Sequence, residues 1–530
     1  VRVNIGRLII AALLVSLLAA ACGTPAPSAE PTTPPAAPEA TTAPEPTTPP
    51  EEAPPMGPSG SIVIVIGNDP STLDPQFSDD GNEHKINDNV YEHLLTRDPD
   101  SGEILPELAE SWEQIDDTTW RFNLREGIEF HNGEPFNAEA VVFSAERIID
   151  PDFNSEQISF VASIIGGEVI DDYTVDILTD GPDPTLPARM TWLKIVPPMY
   201  ASEDADQFAQ APVGTGPYKF VEWVRGSHVT LEANEDYWGG APSIGEVTFR
   251  PIEEAATRLA ALQAGEVDVV TDLIPEYLAQ VENSVAIHGL EFPWIRINTN
   301  VEPLNDVRVR QALNYAIDKE ALAEALYGGY AAVAEGQILT PGHFGYNPDV
   351  VAYPYDPDMA MDLLEDAGAS GATLEFVGES GRWLKDKELV EAIAAQLEAV
   401  GLNIEVNIVE WSDWLDLLFA GAEAAPQLQY SAHDNVLLDA DRTLSALFTT
   451  EGSQAAYGNP TVDQLVLDAR TETDVELREQ MYHEAVETIR EEAACIFLLN
   501  LDNIYGLSPN LQWTPRLDGR IFVKDMTLTG

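Results

Sequence analysis

From Ser61 to Leu499 this chain keeps switching between two hydrophobic periods, and that alternation limits what it can fold into more than any other feature. Ser61-Ile62-Val63-Ile64-Val65-Ile66 is a short β-branched run stopped by Gly67-Asn68-Asp69-Pro70, as a buried strand ending in a turn should be. A helix is expected from Glu83 to Leu95, and Trp120 to Leu124 alternates like a half-buried strand. Asn137 is a candidate N-cap for a helix running to Arg147, and Val169 to Leu178 reads as a strand pair about Asp171-Asp172. The pattern continues with a helix at Ala255–Ala264 closed by Gly265 and a strand at Asp268–Val270. Asp306–Tyr327 reads as one long helix or two, ended by Gly328-Gly329. Helices at Asp358–Ala367, Glu388–Val400 and Asp474–Glu492 flank strands at Thr373–Val377 and Asn403–Val409. Strands and helices mixed in this way predict an α/β protein with mixed sheets. No internal repeat and no heptad run interrupts it.

The segment before the alternation has another character. Val1 to Arg7 is basic, Leu8 to Ala21 is apolar except for Ser16, and Cys22 follows the small residues. This order describes an export signal over residues 1–21, with Cys22 as a lipidation site. The apolar run is too short to read as a membrane-spanning helix. Residues 24–58 are mostly Pro, Ala, Thr and Glu without Lys or Arg, a composition that cannot offset its own ordering entropy. Residues 22–59 are therefore expected to be a lipid-anchored, disordered spacer, extended by its prolines.

Composition excludes some partners. Ninety acidic against 27 basic residues give a net charge of −63, which opposes binding to nucleic acid or to anionic lipid. Acids scattered along the whole body favour a solubility role over attraction of a cationic ligand. Cys22 and Cys495 are the only cysteines. With Cys22 lipidated no internal disulfide is expected, and Cys495, inside an apolar run, reads as a buried inert thiol. The chain has no Gly-x-Ser-x-Gly elbow, no phosphate-binding loop and no His-Glu-x-x-His. His84 and His93 read as surface histidines. No enzyme activity, metal or cofactor is expected.

Several blocks, in order, resemble the extracellular solute-binding proteins of family 5, the dipeptide-, oligopeptide- and nickel-binding proteins of ABC importers. They are Asp69-Pro70-Ser71-Thr72-Leu73-Asp74-Pro75, Tyr91-Glu92-His93-Leu94-Leu95 and Leu105 to Trp112. Trp120 to Arg147, Pro212 to Phe220, Arg258 to Val270 and Pro303 to Leu322 continue the match. The resemblance implies a two-lobed periplasmic-binding-protein fold of type II, in its large cluster with an extra subdomain, and a ligand cleft between the lobes. Lobe I would hold residues 60–84, 211–292 and 500–530, the inserted subdomain 85–210, and lobe II 293–499. Hinge crossings would lie near Ile295–Val301 and Leu499–Tyr505.

The same resemblance implies a peptide or similar small solute as ligand, an ABC permease and ATPase as partners, and a monomer tethered at the membrane facing the periplasm or cell exterior. The alternatives are a binder of a saccharide, opine or metal chelate, or a sensory receptor without a transport partner. Peptide-binding relatives hold the ligand's amino group with an Asp that follows an aromatic in a Trp-x-x-Asp pattern. Here Tyr430 takes the aromatic position, His433 the acid's, and Asp434 lies one residue on. Neutral His supplies no counter-charge, so either Asp434 takes over or the ligand lacks a free amino terminus. Arg382 matches the family's carboxylate-binding arginine, and Trp411 a pocket aromatic with Trp414 nearby. Asn68 and Asp69 would face the cleft from lobe I.

Overall fold

The computed structural model describes residues 57–422 and 424–529. The export segment, Cys22 and the spacer up to residue 56 lie outside the described residues. The described residues form one compact unit.

Two mixed sheets carry the body. The first has the order Asn283–His288, Leu499–Leu507, Val269–Val270, Ser59–Ile66, Ile244–Pro251, His228–Ala233, Tyr218–Val224, and Ala331–Val333 joins it on Leu499–Leu507. Ser59–Ile66 pairs in parallel with both its neighbours, and its Ile62, Ile64 and Ile66 enter a core with Val247, Phe249 and Val269. The intervening Val65, with Val63 beside it, enters a second core on the opposite face, so the strand is buried on both sides as its unbroken apolar run requires. The second sheet runs Asn403–Val409, Thr373–Glu379, Leu428–His433, Phe292–Ile297, Cys495–Phe497. Its core gathers Ile295, Phe376 and Leu428 under Leu313, Leu389 and Ile393 from the helices Val307–Tyr315 and Asp386–Ala399. A third, antiparallel sheet, Ala109–Asp116, Thr119–Leu124, Thr174–Thr179, Ile164–Asp171, packs on the helix Ala138–Ile149. Burying Val141, Ala145 and Ile148 gives this insert its own core.

Local signals placed most elements. The Asn137 side chain accepts from the Ala140 N–H, so it is the N-cap of Ala138–Ile149. The expected 306–327 segment is two helices, Val307–Tyr315 and Lys319–Tyr327, because Asp318 caps the second. Gly328 ends it in the left-handed conformation that glycine adopts without strain. Gly214 has a tighter reason: a Cβ there would stand 2.0 Å from the Val90 carbonyl oxygen, so the Gly214-Thr215-Gly216 block is a backbone contact.

Three expectations need correction. The helix expected over 83–95 is Gly81–Asn87 only. Asn89 ends it by donating to the Lys85 and Ile521 carbonyls and accepting the Val523 N–H. His93 is buried, not on the surface, with its Nδ1 3.2 Å from Glu107. His84 is half-buried against Trp192. The chain first crosses between the two large sheets at residues 289–291, upstream of the expected 295–301, since Phe292–Ile297 already belongs to the second sheet; it touches the first sheet again at Ala331–Val333 and returns to it finally at Leu498. Gly289 N–H donates to the Leu501 carbonyl and Leu501 N–H to the Glu291 carbonyl, both at 2.9 Å, so the first crossing is bonded to the strand that follows the last.

Cys495 is buried and forms no disulfide among the described residues, and burial holds its thiol well above the ordinary range. No helix among the described residues is long and apolar enough to cross a membrane.

Candidate functional site

A cavity of about 610 Å³ opens between the second sheet and the insert. Trp383, Trp411, Trp414, His433, Asp434 and Arg442 line it from the second-sheet side, and Ser159, Ser163, Asp180, Thr185 and Arg189 from the insert.

The aromatic wall follows from helix geometry. Trp411 and Trp414 are three apart on the helix Trp411–Leu418 and so share one face. Their rings stack at 4.9 Å with 10° between planes, and Trp383 meets both edge-on. Trp414 is buried and donates from Nε1 to the Tyr430 carbonyl at 2.9 Å, while Trp411 is 38% exposed. Trp383 is held by its loop: the buried Asp386 carboxylate accepts from the N–H groups of Gly381, Arg382 and Trp383 at 2.8–3.0 Å. Sequence reasoning missed Trp383 because nothing in the local pattern marks a loop aromatic.

His433 ends the strand Leu428–His433, and burial lowers its pKa to about 3, so the ring is neutral. Asn435 Nδ2 donates to the Asp439 carbonyl at 2.7 Å and to Thr443 Oγ1 at 2.9 Å. His433 Nε2 lies 3.1 Å from the same Thr443 Oγ1, which can accept from the ring or donate to it. Being neutral, the ring supplies no counter-charge for an ammonium group. Asp434 is exposed, and among the described residues nothing donates to its carboxylate. Glu291, at the crossing between the sheets, feels it: burial and the Asp434 charge push Glu291 up to about 7.

The other expected residues separate. Arg382 is exposed outside the cavity wall, with its guanidinium 5.4 Å from the Trp411 ring centre. It forms no ion pair among the described residues. Tyr430 lies wholly inside the second-sheet core, where its ring backs Trp383 edge-on at 5.6 Å, so it supports the wall without lining it. Asn68 takes a hydrogen bond from the Asn82 amide, and Asp69 accepts from Trp223 Nε1 at 3.2 Å. Both belong to the turn after the first strand and do not line this cavity. The structure thus brings Trp411, His433 and Asp434 together, places Arg382 beside them, and leaves Tyr430, Asn68 and Asp69 elsewhere.

Most other charges lining the cavity are already committed. Arg189 pairs with Asp183 at 2.8 Å, Arg470 with Asp441 at 3.0 Å, and Arg478 with Asp439 in a two-pronged bond at 2.7–2.8 Å. Beyond the cavity, Lys385 Nζ lies 2.6 Å from Glu276, joining the second-sheet side to the first.

Comparison with known proteins gives the site its setting. The family described as bacterial extracellular solute-binding proteins, family 5 Middle, matches residues 103–453. The chain is 29% identical over 472 residues to the glutathione-binding protein GsiB of Pectobacterium atrosepticum, covering 84% of this chain and 90% of that one. It is 30% identical over 473 residues to heme-binding protein A of Haemophilus influenzae, covering 80% and 84%. Among solved structures, the periplasmic binding protein DppA of Helicobacter pylori in complex with the peptide STSA superposes with a TM-score of 0.72 at 26% identity, covering 89% of this chain and 98% of that one. The fold is therefore the two-lobed α/β fold of periplasmic binding proteins, and the chain belongs to the bacterial extracellular solute-binding proteins, family 5.

Proposed function

We propose that this protein captures a peptide, or a peptide-like solute with a free amino group, between its two lobes and delivers it to the permease of an ABC importer. The observation that carries the reading is the Asp434 carboxylate, unpartnered among the described residues, in one cavity with the Trp383, Trp411 and Trp414 wall. An ammonium group gives that carboxylate a charge-assisted partner, and flat indoles offer apolar area to a side chain or peptide plane. Between the two alternatives left by His433, the Asp434 carboxylate, open to the cavity, favours Asp434 as the ammonium site. The relatives named for glutathione and for a bound peptide are in accord with such a ligand.

Closure follows the family's two-lobed form. Residues 60–84, 211–292 and 500–530 act as lobe I with 85–210 as its insert, and 293–499 as lobe II. They swing about the paired crossings to bury the ligand. Export, a lipid on Cys22 and the proline-rich spacer hold a monomer at the outer face of the membrane, near its permease at raised effective concentration.

A thermal-shift screen across free-amino peptides, N-acetyl peptides, opines and sugars tests the ligand. Binding at a hundredfold excess over Kd adds about 2.7 kcal/mol of stability. Free-amino peptides should raise the melting temperature and their N-acetyl forms should not. A shift confined to sugars, or equal shifts for both peptide forms, defeats the reading. Membrane fractionation of the Cys22→Ser chain tests the anchor: it should leave the membrane fraction.

A further inference from the structure

The cavity has an uncommitted cation as well as an uncommitted anion. Arg442 sits in the first turn of the helix Ala440–Leu447, and its Nη1 donates to the Asp434 carbonyl at 3.2 Å. No other hydrogen bond or ion pair engages its guanidinium among the described residues, though such a group carries five N–H donors. Three nearby acids are already taken, Asp441 by Arg470, Asp439 by Arg478 and Asp183 by Arg189, and neither Asp434 nor Asp180 forms an ion pair with it among the described residues. His433, next to it, is neutral and cancels none of its charge.

Its position spans the cleft. Arg442 extends from the second-sheet side, and its guanidinium carbon lies 4.4 Å from the ring centre of Phe160, which belongs to the insert. Phe160 is itself fixed by stacking on Trp192 at 4.2 Å. A guanidinium held over an aromatic face keeps its edge free, and that edge is the planar fork that fits a carboxylate.

We infer that Arg442, and not Arg382, receives the carboxylate of the bound ligand, through the fork it holds over Phe160. The inference rests on the peptide reading above and deepens it: Asp434 and Arg442 then make the cleft selective for zwitterions. Arg382, outside the cavity wall, contributes a longer-range positive field only.

The test is isothermal titration of wild-type protein and the variants Arg442→Gln, Arg442→Lys and Arg382→Gln with a panel of free-acid peptides and their C-terminal amides. Wild type should prefer the acid over the amide by about 10- to 100-fold. Arg442→Gln should bring that ratio close to one, Arg442→Lys should recover part of it, and Arg382→Gln should leave most of it. A merely structural role for Arg442 lowers both affinities alike and keeps the ratio, which overturns the assignment; so does a ratio lost in Arg382→Gln instead. Wild-type protein that binds neither peptide form overturns the peptide reading and this assignment with it, whereas peptides bound at a ratio insensitive to Arg442→Gln overturn the assignment alone.

Discussion

At the seam between the insert and the first sheet, Lys194 Nζ lies 2.8 Å from Asp88, with Arg520 on the other side of the carboxylate and His84 3.5 Å from the amine. Lys194 and Asp88 are almost fully buried, and the neighbouring cations hold Asp88 far below the usual carboxylate range. In the cleft, Asp434 and Arg442 form no ion pair among the described residues. One region has completed its electrostatics within the fold; the other leaves a carboxylate and a guanidinium for something that arrives later. A buried charge without a partner is costly, so the second arrangement persists only where water reaches it until a ligand does. On the proposed function, the contrast separates charges that hold the fold from charges left for a ligand.

Breaking the first region should give the largest effect. Asp88→Asn leaves Lys194 uncompensated and should cost about 3–5 kcal/mol in urea denaturation. The double change Asp88→Asn with Lys194→Met should recover much of that loss; no recovery would mean the pair is not the source. Asp434→Asn should do the reverse. Stability should stay within about 0.5 kcal/mol of wild type. Affinity for a free-amino peptide should fall about 10- to 100-fold by calorimetry. Trp411→Ala should weaken the same ligand by about tenfold, since one exposed indole face is lost while Trp414 stays packed.

Glu291 sharpens the comparison through pH. Its folded pKa of about 7 exceeds the ordinary value of 4.5, so the folded state holds a proton that the unfolded state releases. Stability from this group is therefore present below pH 4.5 and is lost as pH rises through 7. An ammonium group arriving at Asp434 favours ionised Glu291, so binding near pH 7 should release protons, and affinity should rise with pH from about 5 to 8. Calorimetry in buffers of different ionisation enthalpy reads that release, and Glu291→Gln should abolish it. The smallest effect belongs to Lys385→Ala. Its partner Glu276 is solvent-accessible, and the change should cost under about 1 kcal/mol.

Much of the fold could be read locally. Ser61–Ile66, the Asn137 cap and the glycine stops at Gly328, Gly368 and Gly401 each carry their reason within a few residues. The helix at Gly81 could not be bounded that way, because Asn89 ends it with bonds to Ile521 and Val523 from the far end of the chain. The site divides similarly. Trp411, His433 and Asp434 were legible because they lie on and beside one helix and one strand that the family pattern marks. Arg442 was not, because on a helix it looks like a solvated charge. It differs from Arg470 and Arg478 only once Asp441 and Asp439 have been assigned to those two arginines. Tyr430 illustrates the opposite error: its position matches the pattern, but strand alternation turns its ring into the core.

The paired crossings bear on how tightly any ligand can be held. The chain passes between the two large sheets at residues 289–291, on either side of Ala331–Val333 and at Leu498, and Gly289, Glu291, Tyr330 and Ala334 are all hydrogen-bonded to residues 498–502. Ordering a free residue costs about 1–2 kcal/mol of backbone entropy. In the proposed closure these segments start already tied, so the ordering cost drawn from the protein is small, and what the binding energy of Asp434 and the indoles must chiefly offset is the ligand's own loss of freedom.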